Sequence, residues 1–338
     1  MLKSNLSNLI MSNVNIEKVQ NILGNTPVLR IFFKLGSQAL IDYRYPTHIF
    51  IETTRACNLK CTFCSRNVEH SESGHMDFDL FKSIVDEATS FGRKNFGLHL
   101  LGEPLLYPMI VEAIQYIKKA NSNHAILLTT NGYLLDDFKA KKILENNVDK
   151  IVFSVFSLRS ERTKTLTGSS NISKVIDNIK NMVALKKRMH SKTNIYMRFM
   201  ICEENKDELQ QVQSLTKDLG ILLEARYTHN FSGVIENNYI SNKQTDKKRY
   251  PCYHPWFSPA ITWDGKIVLC CNDWNYAETL GDMRETTLAS VWGGERLKQL
   301  RRYHLAEEYN KIPLCAKCNV WSLHPDIFFG IQKKHKLK

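Results

Sequence analysis

Six apolar runs rich in β-branched and aromatic residues recur along this chain, at 48–54, 95–101, 125–131, 150–157, 194–202 and 221–228. Stretches of helical period lie between them. In 77–91, Leu80, Phe81, Ile84, Val85 and Ala88 share one helical face, and in 171–189 Val175, Ile176, Ile179, Met182 and Val183 do the same. Strand and helix in alternation require crossover connections, which lay the strands parallel and cover the sheet with helices. Six units fall short of the eight that close a barrel, so the expected fold is α/β, a partial (β/α)6 TIM-like barrel. Chemistry in such barrels gathers at the C-terminal ends of the strands.

The segment after the first run carries Cys57, Cys61 and Cys64, spaced Cys-x3-Cys-x2-Cys and introduced by Thr53 and Thr54. Three thiolates on one short loop hold three irons of a cubane cluster and leave the fourth iron open. Structural cubane sites use four protein ligands, so an open iron points to chemistry rather than scaffolding. The setting agrees. Lys3, Glu17 and Lys18 interrupt the opening apolar stretches, unlike a signal peptide. All apolar runs are shorter than the roughly 20 residues of a membrane span. The expectation is a cytoplasmic protein with no membrane partner, where nine cysteines speak for metal or redox chemistry and against a disulfide framework. The net charge of +12 is spread along the chain, and the runs at 247–249 and 333–338 contain no interleaved aromatics. Nucleic acid is therefore not an expected partner.

At 338 residues, 43% of them hydrophobic, the chain suffices for one large domain and a smaller one. Residues 1–46 read as a helical prelude, with helix-like stretches at 16–23 and 29–43, and 47–236 as the barrel. Residues 237–249 are polar and without period, a linker, and 250–338 form a second, α+β unit with a basic tail. Within that unit 259–263 and 266–271 flank Asp264-Gly265, a hairpin signal in which both turn positions take positive φ. A helix over 288–303 follows, with Gly293-Gly294 as its break point. The unit holds Cys252, Cys270, Cys271, Cys315 and Cys318. A Cys-x2-Cys pair with two distant cysteines suits tetrahedral zinc or a fully ligated cubane, and the spacing alone leaves the metal open. Cys271 alternates to the strand face opposite Cys270. Cys202 reads as a small core residue, and the eleven histidines show no ligand spacing.

Cys57-x3-Cys61-x2-Cys64, with Phe63 before the last cysteine and Leu101-Gly102-Glu103-Pro104 ending the second run, resembles the radical S-adenosylmethionine (radical SAM) superfamily. Leu101 stands where the family has a glycine. The resemblance implies a [4Fe–4S] cluster whose open iron is chelated by the amino and carboxylate groups of S-adenosylmethionine. It places Phe63, Gly102, Glu103, Asn131 (within Thr129-Thr130-Asn131-Gly132) and Ser154 beside that cofactor, with Glu103 accepting from its ammonium. A carboxylate favoured by a helix N-terminus is the simpler reading of Glu103. Cys252-x12-Gly265-x4-Cys270, then Cys271-Asn272-Asp273, Leu280-Gly281-Asp282, Val291-Trp292 and Arg301, resemble the SPASM/twitch extension. No cysteine follows Cys318, which matches the shorter twitch form with one auxiliary cluster on Cys252, Cys270, Cys315 and Cys318.

The implied activity is reductive cleavage of S-adenosylmethionine to methionine and a 5′-deoxyadenosyl radical that abstracts hydrogen from substrate. A flavodoxin- or ferredoxin-type donor would supply the electron, and the auxiliary cluster would accept one from the oxidised substrate. A sugar- or aminocyclitol-like alcohol is one substrate class implied, and a peptide or protein is the other. A non-catalytic iron–sulfur or zinc-binding protein is the reading from a different class. Two further residues are singled out as candidate catalytic groups. Arg198 shares a strand face with Tyr196 and Met200, and a buried charge needs a partner, either a carboxylate of substrate or cofactor or a structural ion pair. Asp273 reads as a turn residue or as a group near the substrate.

Overall fold

A computed structural model describes residues 45–67, 72–235, 249, 251, 252 and 254–323. The two helix-like stretches of the prelude, nearly all of the linker and the basic tail lie outside them.

The six runs form β1 (His48–Ile51), β2 (Asn95–Gly97), β3 (Ala125–Thr130), β4 (Lys150–Val155), β5 (Asn194–Ile201) and β6 (Leu222–Tyr227). They pair in parallel in chain order, as the six units required. Several are shorter than the apolar run that announced them. In the second run His99, Leu100 and Leu101 leave the ladder beyond β2 and line a cavity instead. Apolar character persists there because those residues wall a site.

Helices α1 (Phe78–Ser90), α2 (Ile110–Ala120), α3 (Asp137–Glu145), α4 (Ser160–Thr167), α5 (Ile172–Met189) and α6 (Leu209–Leu219) cover the sheet. The Asp77 carboxylate caps α1 by accepting from the amides of Asp79 and Leu80. Phe81, Ile84, Val85 and Ala88 then turn inward, and full burial of a side chain such as Phe81 contributes about 1.5–3 kcal/mol. In α5 the buried face holds Val175, Ile179, Met182 and Val183. The sequence reading did not include α4. Its buried positions are Thr163, Leu166 and Thr167, so only one strongly apolar residue marks its inner face.

The C-terminal unit continues the same sheet. After α7 (His254–Phe257), strand β7 (Ala260–Ile261) pairs in parallel with β1, with Phe50 opposite Ala260 and Ile51 opposite Ile261. Strands β8 (Lys266–Val268) and β9 (Thr279–Asp282) follow antiparallel, giving the order β6-β5-β4-β3-β2-β1-β7-β8-β9. The hairpin forms where expected, but its turn differs. Of Asp264 and Gly265 only Gly265 takes positive φ, at +93°. Its amide donates to the Thr262 carbonyl at 2.9 Å, and the Thr262 amide donates to that of Lys266 at 2.9 Å. Trp263 and Asp264 thus form the turn and Gly265 the bulge that re-enters the strand.

The helix expected over 288–303 is two, α8 (Leu288–Trp292) and α9 (Glu295–Leu305), parted at Gly293 and Gly294. The Glu87 carboxylate of α1 accepts from the amides of Leu288 and Ala289 at 3.1 and 2.8 Å, seating α8 on the barrel. One apolar core runs through both units, from Phe81 and Ile151 to Trp292 and Leu300. Among the described residues no helix is long and apolar enough to cross a membrane.

Candidate active site

The loop carrying the three cysteines leaves β1 and is held on its far side by α4. Lys60 and Thr62 donate their amides to the carbonyls of Thr167 and Leu166, each at 3.0 Å. Arg66 Nη2 reaches the Leu59 carbonyl at 2.8 Å, and Asn131 Nδ2 donates to Asn58 Oδ1 at 2.8 Å. Cys57, Cys61 and Cys64 line one cavity at the C-terminal strand ends. Burial pushes all three thiols up, and at Cys61 the neighbouring Cys64 and Cys57 add to it. Three soft donors crowded on one buried loop are a donor set that fits a cationic iron cluster.

The end of the second strand presses against this loop. A Cβ on Gly102 would lie 2.0 Å from the Thr54 carbonyl oxygen and 2.8 Å from that of Ala56, so only glycine fits. The Glu103 amide donates to the Ala56 carbonyl at 2.8 Å. The Glu103 carboxylate is buried and accepts three hydrogen bonds. Oε1 takes the Thr130 hydroxyl at 2.6 Å and the Leu105 amide at 3.1 Å, and Oε2 takes the Asn131 amide at 2.7 Å. Burial raises its pKa to about 7 against the pull of these bonds. Glu103 also caps the short helical turn Pro104–Leu106. The simpler reading of this carboxylate is therefore realised. Leu101 lines the cavity beside it.

The remaining expected residues divide. Phe63 packs against Phe156 with ring centroids 4.7 Å apart, and both line the cavity, as do Asn131 and Ser154. Arg198, opposite Ser154 in register, lines it too, and its Nε donates to Glu224 Oε2 at 2.9 Å, which realises the ion pair. Asp273 is not among the cavity residues. Its carboxylate accepts from the amides of Ala277 and Glu278 at 2.8 and 3.0 Å, the geometry of a turn. Cys202 packs with Phe63, Leu166 and Ile235. Sequence reasoning missed His99, His229 and Phe231 in the cavity wall. Their signal was positional, since each follows a strand end.

The second constellation assembles around the hairpin, α9 and α10 (Pro313–Ala316). Burial raises the thiol of Cys270, followed by Cys271, Cys315 and Cys252; burial raises that of Cys315 too, followed by Cys252 and Cys318. All five thiols thus share one electrostatic neighbourhood. The strand expected to carry Cys270 and Cys271 ends at Val268, so both lie beyond it; Cys270 packs on the main core and Cys271 on the smaller cluster of Phe50, Ala260 and Val268. Two histidines, unmarked by spacing, support the site. His304 Nε2 lies 3.5 Å from Cys315 Sγ while its Nδ1 accepts from the Cys252 amide at 3.3 Å. His254 Nδ1 bonds Ser258 Oγ at 2.8 Å, and its Nε2 lies 4.0 Å from Cys271 Sγ. An all-thiolate set of this kind fits an iron–sulfur cluster.

Comparison with known proteins agrees with this geometry. Residues 51–215 match the radical SAM superfamily, and residues 252–319 match the SPASM iron–sulfur cluster-binding domain. A tungsten-containing aldehyde ferredoxin oxidoreductase cofactor-modifying protein of Pyrococcus furiosus is 25% identical over 317 residues, covering 81% of this chain and 87% of that protein. The crystal structure of BtrN in complex with AdoMet and 2-DOIA superposes with a TM-score of 0.59 at 19% identity, over 81% of this chain and 92% of BtrN. Streptococcus suis SuiB bound to precursor peptide SuiA gives 0.67 at 14% identity, over 83% and 76%. These two structures share the fold. Both cysteine constellations fall within the matched stretches, and this chain is an enzyme of the radical SAM superfamily with a C-terminal SPASM domain.

Proposed function

We propose that the chain holds two [4Fe–4S] clusters and oxidises a hydroxyl-bearing small molecule of sugar or cyclitol type. The observation carrying this reading is that the cysteine loop and a polar floor, formed by His99, Thr129, Ser154 and Arg198, line one cavity. The first cluster, on Cys57, Cys61 and Cys64, would bind S-adenosylmethionine and supply a 5′-deoxyadenosyl radical for hydrogen abstraction. Glu103 accepts from the cofactor ammonium, Gly102 lets the strand end approach, and Phe63 with Phe156 walls the site from solvent. Asn131 fixes Asn58 and hence the loop. Cys252, Cys270, Cys315 and Cys318 ligate the second cluster, and Cys202 and Cys271, too few for a third, remain thiols. Held by these four thiols, a second cluster would offer substrate no open iron and would supply an acceptor for the electron released by oxidation. A flavodoxin- or ferredoxin-type protein is the reductant.

Anaerobic reconstitution followed by dithionite and S-adenosylmethionine should yield 5′-deoxyadenosine. With ring-deuterated sugars and cyclitols the label should enter that product. Fully loaded protein that makes no 5′-deoxyadenosine would return the non-catalytic reading. Deuterium transfer from peptides alone would transfer the assignment to peptide modification, a reading in line with the precursor peptide bound to SuiB.

A further inference from the structure

Below the cysteine loop the barrel interior is cationic. Lys150 of β4, Arg198 of β5 and Arg226 of β6 converge on one carboxylate, Glu224. Arg198 Nε approaches it at 2.9 Å and Arg226 Nη2 at 3.1 Å, and Lys150 Nζ bonds its other oxygen. All four side chains are largely buried, at 18% exposure or less. Burial alone would raise the Glu224 pKa, yet Arg198, Arg226 and Lys150 together hold it well below the usual carboxylate range. Within this cluster Lys150 and Arg198 already outnumber the single Glu224 carboxylate. Ions withdrawn from water need compensation.

Acceptors and donors beside this cluster are open. Arg198 uses Nε on Glu224, and its terminal amino groups make no hydrogen bond among the described residues although the residue lines the cavity. The Nδ1 of His99 is buried with no hydrogen-bond partner. Burial, then Arg198, Lys150 and Arg226, pull its pKa to about 3, so the ring is neutral and Nδ1 is open to a hydrogen bond. The Thr129 hydroxyl on the same wall is likewise buried and unpartnered.

We propose that the substrate is an anion bearing a hydroxyl, a carboxylate or phosphate ester whose charged group docks on Arg198 in the field of Lys150 while its hydroxyl bonds His99 Nδ1. The inference rests on the proposed function in taking this cavity as the substrate site. It narrows that function, because the ammonium of an aminocyclitol would meet like charge here, whereas an acidic sugar meets its complement.

The test uses reconstituted holoenzyme saturated with S-adenosylmethionine, in thermal-shift and equilibrium-dialysis measurements. The probes are hydroxy acids and sugar phosphates of about three to seven carbons, including gluconate and glucose 6-phosphate, each beside its neutral and amino counterpart. At least one acid should raise Tm while glucose and glucosamine do not, and comparison of the carboxylate and phosphate arms identifies the anionic group. Arg198→Gln should weaken that acid at least ten-fold, as expected for about 1.4 kcal/mol or more of charge-assisted bonding, with partial rescue by Arg198→Lys. Glu224→Gln should tighten acid binding, a gain that a purely structural ion pair would not produce. Both variants are compared at equal iron content. The proposal is overturned if no acid binds, if neutral or amino sugars bind as well, or if Arg198→Gln loses affinity for S-adenosylmethionine instead. Acid binding without 5′-deoxyadenosine formation would leave the anion site standing and remove the catalytic reading. The reverse result would do the opposite.

Discussion

Arg55 Nη2 donates to the Trp274 carbonyl oxygen at 2.7 Å, a hydrogen bond spanning 219 residues. It joins the segment entering Cys57 to the one leaving Cys271. The Arg55 guanidinium also bonds the Tyr276 hydroxyl, lies 4.7 Å from the centre of that ring, and faces Glu52 at 3.8 Å. Both members of the Arg55–Glu52 pair are buried. Arg55→Leu would strand the Glu52 carboxylate, and removing one partner of a buried pair typically destabilises by about 3–5 kcal/mol. Urea unfolding of the reconstituted protein measures this. A loss below about 1 kcal/mol, the range of exposed pairs, would show that the bridge contributes little.

Glu52 gives a pH dependence. Burial lifts its pKa from 4.5 to about 7, opposed by Arg55 and the Trp263 amide. A pKa raised on folding means that the protonated carboxyl is favoured in the folded state. Its stabilising contribution is complete below pH 4.5 and is lost as pH rises through 7. Glu52→Gln keeps the neutral shape and removes the titration. Its stability relative to wild type should therefore grow between pH 4.5 and 8, on the order of 1.4 kcal/mol for each tenfold difference in proton affinity between the folded and unfolded chain. Parallel urea midpoints for the two proteins across that interval would contradict the assignment.

Gly102→Ala should disrupt the strand end. The added methyl meets backbone carbonyls rather than a flexible side chain, and overpacking of this kind destabilises by about 1–3 kcal/mol. Because the Glu103 amide bond to Ala56 lies next to it, affinity for S-adenosylmethionine should fall together with Tm. Equilibrium dialysis and thermal unfolding report the two effects separately.

Glu103→Ala removes the proposed partner of the cofactor ammonium, a charge-assisted bond of about 1.5–3 kcal/mol. Binding of S-adenosylmethionine should weaken by roughly ten-fold or more, while the iron bound at Cys57, Cys61 and Cys64 is retained. Unchanged affinity would mean that the carboxylate serves only the Thr130, Asn131 and Leu105 donors.

Two cubane clusters correspond to about eight irons per chain. Cys315→Ala with Cys318→Ala should leave about four and preserve 5′-deoxyadenosine formation while abolishing product. His304→Ala, which deletes the group between the Cys252 amide and the Cys315 thiol, should lower auxiliary iron without touching the first cluster. Iron and sulfide analysis with electron paramagnetic resonance would distinguish the sites. Retention of all eight irons in the double variant would sink the proposed ligand set.

The sequence disclosed what depends on local pattern. Period gave the six strands and the faces of α1 and α5, spacing marked the cysteines, and the family resemblance marked the glycine before Glu103. Long-range partners left no such trace. Nothing near Arg198 in the chain announces Glu224, which reaches it because β5 and β6 pair in register. His304 stands beside Cys315 by the packing of α9, and no ligand spacing precedes it. Helix α4 escaped notice because its inner face is mostly threonine, although its last carbonyls hold the cysteine loop. The hairpin turn was placed correctly and shaped wrongly, since Asp264-Gly265 suits a bulged turn as well as a two-residue one.

Because β7 lies parallel to β1, the first strand of the barrel waits for its second neighbour until the chain is three-quarters made. On the ribosome β1 can pair with β2 early, while its other edge stays bare until residues 260–261 emerge. At about 5–20 residues per second that interval is on the order of ten seconds or longer. An uncovered edge is a template for pairing with another chain, so a nascent or truncated form ending before 260 is aggregation-prone at the strand that leads to Cys57.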